Sequence, residues 1–358
     1  MPKGTGFYFS RCTKVIDIFE FGNYIEGNLI FNMDQLLHIQ NNKGNLDLRW
    51  QVLRLIREFF WSEDFVEVET PLLLRLPGQE PYLSPMKLQL HDETGKEYAG
   101  FLHTSPEYGM KKMLASGYEK IFSLCKTFRD HESFGGTHNP EFTMVEWYRA
   151  NSDFWKIMDD VETLFGFIAK KLKTEQKIQF ERMHMREAWK KFVGVNLDDY
   201  FSEDALYDLC VQKGYKPEKN EPYEDLFFRI FLNEIEPRLG NVIIHHYPKQ
   251  LAALAKMSET EIGYAERFEV YVGGVEIANA FGELTDSQEQ LKRFEAEYAK
   301  RKNMGKDIFA IDMEFIEAVG KMPPSGGIAL GVDRLVQVFA SCQNIDSVLV
   351  LPASKLFN

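Results

Sequence analysis

Three stretches of this sequence combine charged side chains with small or turn residues in a way a plain hydrophobic core does not require. In FRDHESFGGTHNPEFTMVEWYR, Arg129 ends one strand-like run, Asp130, His131 and Glu132 follow, and Arg149 ends the return run beyond Asn139, Glu141 and Glu146. A guanidinium donates two parallel hydrogen bonds to phosphate oxygens, so arginine at such a loop suits a phosphate site. A solvated hairpin tip with surface ion pairs explains the same charges equally well. In ERFEVYVGGVEIANAFGELTD, Glu269 and Glu276 flank Gly273-Gly274. A turn there folds two strands together, and two carboxylates beside substrate phosphates suit Mg2+. Strict alternation puts Glu276, Ala278, Ala280 and Gly282 on one face and Glu283 on the other, unless a bulge re-aims it. Edge-strand packing is the competing explanation for the small residues. In PPSGGIALGVDRL, glycines permit close approach of a ligand to backbone, and Arg334 opens an amphipathic helix after Gly331. This last segment matches neither G-x-x-x-x-G-K-[ST] nor G-x-G-x-x-G after a parallel strand.

Taken together, the segments predict a nucleotide site on an antiparallel sheet, with arginines for phosphates, carboxylates for magnesium and glycines beneath. The chemistry is adenylation, in which positioning and charge stabilisation do most of the catalysis. No Ser-His-Asp or Cys-His arrangement is evident. His38, His91, His103, His184, His245 and His246 read as structural or surface residues.

The elements that would hold this site follow from periodicity. Leu48, Val52, Leu55, Ile56, Phe59 and Phe60 recur at helical spacing, then β-rich FVEVET runs to Pro71. Runs at 119–129 and 141–149 predict a long antiparallel hairpin, and 153–218 reads as helical. Strands follow at 242–247, 266–272 and 275–281, a charged helix at 286–303, and finally the strand GGIALG and helix VDRLVQVFA. Residues 1–45 read as one or two strands or a hairpin without a core of their own. One large α+β domain on an antiparallel sheet flanked by helices is the economical architecture.

Composition narrows the functional classes. The 358 residues carry 42 basic and 54 acidic side chains, a net charge of −12, which argues against gripping nucleic acid through its phosphates and favours a basic partner. No apolar run approaches the ~20 residues of a spanning helix. The N-terminus lacks the apolar stretch of a signal peptide. Four scattered cysteines, with no C-x-x-C pair, read as reduced thiols of a cytoplasmic protein.

FVEVETP, FRDHESFGGTHNPEFTMVEWYR and GGIALGVDRL resemble motifs 1, 2 and 3 of the class II aminoacyl-tRNA synthetases of the lysyl type. TSPEYGMKKML and VEIANAFGELTD are similar to a branch of that family that lacks the anticodon-binding domain and ligates lysine to elongation factor P. The likeness runs from about Leu46 to about Val348, leaving 1–45 as an extension of unknown role before a catalytic domain at 46–358. Ser105 and Ala329 stand where the synthetases usually have alanine and glycine, as in the ligase branch, whose pocket accepts a β-amino acid.

The resemblance implies roles for matching positions. Arg129 and Arg334 hold the ATP phosphates and are the catalytic residues, Phe142 stacks on adenine, and Asn139 contacts the nucleotide. Glu269 and Glu276 carry Mg2+, while Ile277 and Gly331 line the ATP pocket. In the substrate loop Ser105-Pro106-Glu107, Glu107 binds the substrate amino group; Tyr148 and Glu283 read the ε-ammonium and Asn279 assists at the carboxylate. The family's Arg-x-Glu becomes Arg129-Asp130-His131-Glu132, which leaves open whether His131 or Glu132 meets the adenine. Gly109 replaces an expected histidine and Ala280 an expected glycine, the latter adding a methyl group near the pocket.

The implied enzyme activates lysine or (R)-β-lysine with ATP and passes the acyl group to a lysine side chain of elongation factor P, acting as a homodimer without tRNA or membrane. The −12 charge agrees with an acceptor presented on a basic loop. Two alternatives stand beside it: a minimal lysyl-tRNA synthetase or adenylate maker with another acceptor, and a non-catalytic synthetase-like regulator.

Overall fold

In the computed structural model, which describes residues 34–80, 82–174 and 178–357, the apolar spacing after Leu46 becomes the helix α2 (Lys43–Ser62). Its Val52, Leu55, Ile56, Phe59 and Phe60 are buried, and Phe60 stacks on Phe122 at 4.7 Å between ring centroids. Truncating such a ring to alanine typically costs ~3–5 kcal/mol. The strands or hairpin expected before Leu46 are corrected over 34–45, which are helical: α1 (Asp34–Asn41) abuts α2. Tertiary contacts hold α1 in place. His38 Nε2 lies 3.0 Å from the Leu349 carbonyl, and Lys355 Nζ lies 2.8 Å from Asp34. The remainder of that expectation, 1–33, lies outside the described residues.

The main sheet has eight strands in the order β1 (Val66–Glu67), β5 (Lys120–Phe128), β6 (Glu141–Ala150), β11 (Ser325–Gly331), β10 (Val275–Gly282), β9 (Tyr264–Val272), β8 (Val242–Pro248) and β7 (Glu181–His184). The central pairs are antiparallel, and parallel pairs β1–β5 and β7–β8 close the two edges. Strand β7 corrects the all-helical reading of 153–218. Four residues that pair with β8 some sixty positions later carry no local signal of their own. A second, small sheet has the strand order β2 (Leu73–Leu74), β4 (Glu97–Leu102) and β3 (Lys87–His91).

The two faces of the sheet have different tasks. One buries Phe122, Val145, Trp147, Phe268, Val270, Ala278, Ala280, Ile328 and Leu330 against α2, α4 (Phe154–Leu172) and α10 (Val332–Ala340). There Arg149 donates to both oxygens of Asp160 on α4, at 2.6 and 2.9 Å. That pairing takes Arg149 away from any phosphate. The opposite face carries α3 (Glu107–Ala115) and the cavity described below. Toward β7 it is covered by an inserted layer, α5 (Met185–Ala188), α6 (Glu203–Gln212) and α7 (Tyr223–Ile230), packed on Val242, Ile244 and Tyr271. Between α7 and β11 the chain adds α8 (Ser287–Asn303) and α9 (Met313–Val319). No helix among the described residues is long and apolar enough to cross a membrane, and Cys125, Cys210 and Cys342 are unpaired among them.

Candidate active site

A cavity of about 370 Å³ sits on the free face of β6, β11 and β10. Register decides its floor. Directly opposed residues share a face, so Glu146 lies beside Ala329 and Asn279, and Tyr148 beside Gly327 and Phe281. Gly273 and Gly274, at φ +58° and +78°, make the turn from β9 to β10. Three residues later the register shifts between Glu276 and Ala278, a β-bulge at Ile277. The extra residue reverses the alternation, so Glu276 faces the cavity with Asn279, Phe281 and Glu283. The expected common face of Glu276, Ala278, Ala280 and Gly282 is therefore corrected. Ala278 and Ala280 belong to the helix-side core, so the Ala280 methyl group does not reach the pocket.

One end of the cavity is cationic. Arg129 lies 5.0 Å from the centre of the Phe142 ring, and its Nε is buried with no hydrogen-bond partner among the described residues. Burial pulls its pKa below the usual arginine value, helped by the nearby charge of Arg334. Arg334 reaches over from the first turn of α10, donating to the Glu276 carbonyl at 2.7 Å and to the Thr137 carbonyl at 3.3 Å, beside His138 Nε2 at 3.1 Å. Burial and the neighbouring Glu269 raise the Glu276 carboxyl against the pull of Arg334.

The other end is acidic. Glu107, in the first turn of α3, and Glu283, at the end of β10, converge on Lys111 Nζ at 2.5 and 2.7 Å. Helix α3 is held there by Tyr108 stacking on Phe315 of α9 and by Lys112 reaching Asp312 at 2.7 Å. Tyr148 donates to Glu146 at 2.9 Å. Burial drives Glu146 well above the usual carboxylate range, and burial with the charge of Glu107 lifts Glu283 to about 7. Oε1 of both Glu146 and Glu283 is buried without a hydrogen-bond partner among the described residues. Buried oxygens of this kind call for donors.

Most of the sequence-predicted residues meet here: Ser105, Glu107, Arg129, Glu132, Asn139, Phe142, Tyr148, Glu276, Ile277, Asn279, Glu283, Gly331 and Arg334 all line the cavity. Four do not. Pro106 is buried at the head of α3, one residue off the wall. Asp130 and His131 line a neighbouring cleft with Arg301 and Lys306 instead, and His131 turns outward at φ +61°. Glu132 alone of that loop's three reaches the main cavity, because the added residue is spent on the left-handed turn. Glu269 stands behind the wall. It accepts from Tyr247 at 2.6 Å, Tyr271 at 2.5 Å and Arg267 at 2.6 Å. The Asn139 amide is also engaged, donating to the Glu141 carbonyl at 2.6 Å and accepting from Ala353 N at 2.9 Å.

Sequence reasoning gave no site role to Lys111, Glu146 or Glu80, the last a cavity-lining carboxyl pushed to about 7 by burial and Glu107. Two of these were detectable: Lys111 lies four positions after Glu107 on a helix, and Glu146 two positions before Tyr148 on a strand. Among the described residues no cluster of three or more His, Cys, Asp or Glu forms a metal cage. Mg2+ commonly takes one or two carboxylates with substrate phosphates, and Glu276 fits that manner of binding. Glu269, whose oxygens accept three hydrogen bonds, does not itself line the cavity.

A family model of class II tRNA synthetases (D, K and N) matches residues 33–355. The chain is 37% identical over 306 residues to a protein of Avibacterium paragallinarum named elongation factor P--(R)-beta-lysine ligase, covering 84% of this chain and 92% of that protein. Proteins of the same name from Pasteurella multocida (37% over 311 residues, 85% and 94%) and Hamiltonella defensa (34% over 320 residues, 87% and 96%) are similarly close. With its bulged antiparallel sheet, its arginines from the loop after β5 and from α10, and this match along nearly its whole described length, the chain belongs to the class II tRNA synthetase family of the D, K and N group.

Proposed function

We propose that this protein is an ATP-dependent ligase that activates lysine or (R)-β-lysine as an aminoacyl-adenylate and transfers it to a lysine side chain of elongation factor P. The observation that carries the reading is the polarity of one cavity. Buried carboxyl oxygens without donors lie at one end and two arginines at the other, matching a diamino acid joined to a nucleotide phosphate. The relatives' shared name supports the acceptor.

In this reading Glu107, Glu146, Tyr148 and Glu283 take the substrate's two ammonium groups, while Ser105 and Asn279 orient its carboxylate toward Arg129. Phe142 and Ile277 flank the adenine, with Glu132 and Asn139 at its edge and Gly331 beneath. A carboxylate oxygen attacks the α-phosphorus, the bond to the leaving pyrophosphate breaks, and Arg129 and Arg334 stabilise the charge that develops. The acceptor ε-amine then attacks the acyl carbon, forming an amide and releasing AMP. Glu276 would hold Mg2+, which neutralises phosphate charge when bound, and Glu269 keeps Arg267 and the sheet beneath in place. The net charge of −12 supports a basic protein acceptor over tRNA. The exposed Trp50, Trp61 and Val66 on α2 and β1 support a two-fold dimer through this element, and the free thiols support a cytoplasmic setting.

The test is ATP–pyrophosphate exchange with each lysine isomer, followed by mass spectrometry of elongation factor P incubated with enzyme, ATP and that isomer. The expected results are exchange, a one-acyl mass increase, and loss of both in Arg334→Ala. No exchange with any isomer, or charging of tRNA at a rate matching modification of elongation factor P, would overturn the reading.

A further inference from the structure

Lys111 is a lysine with 1% side-chain exposure, and its Nζ lies 2.5 Å from Glu107 on its own helix and 2.7 Å from Glu283 just past the end of β10. These two carboxylates belong to elements 176 positions apart in the chain, and the lysine ammonium joins them. Its charge also acts on the carboxyls of Glu146 from β6, which accepts a hydrogen bond from Tyr148, and of Glu80 from the segment after β2, near which Arg129 is a second cation. Burial by itself would discharge Lys111; Glu107 and Glu283 overcome that and hold it above the usual lysine range. The cavity wall thus presents four carboxyl groups, Glu80, Glu107, Glu146 and Glu283, around Lys111, and Glu107 and Glu283 are the two it pairs with directly.

We propose that Lys111 is a positioning and specificity-determining residue: its ammonium fixes the separation of the Glu107 and Glu283 carboxylates and keeps both ionised to receive the ammonium groups of a diamino acid. The proposal rests on the ligase reading above. Lys111 need not touch substrate. It acts through the two carboxylates it spans, which is also why a four-carbon stem ending in a point charge serves here.

Lys111→Met keeps the length of the stem and removes the charge, and Lys111→Arg keeps the charge. ATP–pyrophosphate exchange is measured for the wild type and both variants across pH 5.5–9, with the diamino acid and ATP varied separately. For Lys111→Met the expected results are at least about a tenfold rise in KM for the amino acid and an alkaline shift of about one pH unit in the acid limb of kcat/KM. The shift follows because the carboxyls must be ionised to bind ammonium and have lost the cation that favours ionisation. KM for ATP stays within about twofold. Lys111→Arg retains the wild-type acid limb even if packing lowers its rate.

An unshifted acid limb in Lys111→Met, or the same shift in Lys111→Arg, makes the role one of packing and overturns the proposal. If Lys111→Met does not fold, the proposal stands or falls on Lys111→Arg. A wild-type protein silent with every lysine isomer defeats the ligase reading instead, so the two failures are distinct.

Discussion

Two adjacent glycines offer a direct test of how the sheet presents its faces. Gly326 and Gly327 both lie in β11, and neither has a positive φ, so an alanine at either position meets no backbone strain. Their surroundings differ because successive residues point to opposite faces. A methyl group at Gly326 would come within 2.6 Å of Ile157 Cγ1 and 2.8 Å of the Asp153 carbonyl oxygen, in the core beneath α4. One at Gly327 would overlap the Glu283 carboxylate and the Tyr148 ring. Neither can retreat freely, since Glu283 is tied to Lys111 at 2.7 Å and Tyr148 to Glu146 at 2.9 Å. Gly326→Ala is therefore an overpacking change that should cost ~1–3 kcal/mol of stability and leave KM for the amino acid within about twofold. Gly327→Ala displaces substrate-binding groups by up to ~1 Å, worth on the order of 100-fold in kcat/KM for the amino acid, or about 2.7 kcal/mol. The assay pairs urea denaturation with ATP–pyrophosphate exchange on the same preparations. Equal phenotypes for the two variants, or the reverse assignment, would refute the register and the cavity built on it.

Other consequences follow from buried charge and exposed apolar surface. Arg49 on α2 meets Asp333 on α10 at 2.5 Å and Thr143 on β6 at 2.7 Å, with both charged partners under 5% exposed. Arg49→Met strands a buried carboxylate, so the denaturation free energy should fall by ~3–5 kcal/mol; a loss below about 1 kcal/mol would contradict this. Burial lowers His184 and His246 to about 4 and His245 to about 3, so the folded state excludes protons that the unfolded chain binds. Stability is therefore complete above the ordinary histidine value of 6.5 and drains away as pH falls below it. Thermal midpoints from pH 7.5 to 5 should decline less steeply in His245→Phe, and parallel curves would exclude the cluster as the cause. Sedimentation at micromolar concentration should give a dimer, converted to monomer by Trp61→Glu, whose native side chain is 54% exposed; a wild-type monomer would end the dimer proposal.

Whatever is local in chain order was legible from the residues alone. The 3.6-residue spacing of α2 and α10, the strands of the hairpin and the Gly273-Gly274 turn each depend on neighbours a few positions away. The motif residues named the chemistry too, because arginines, acids and glycines in that company suit few other tasks. Tertiary structure alone decided the rest. The bulge at Ile277 reverses a face through pairing with β9, Arg149 is drawn to Asp160 on α4, and Glu269 is held by tyrosines from two strands. Lys111 meets Glu283 only because α3 is seated on the sheet. Each of these contacts depends on the direction in which a side chain points, and that direction is set by how the elements pair and pack rather than by the residue pattern along any one of them.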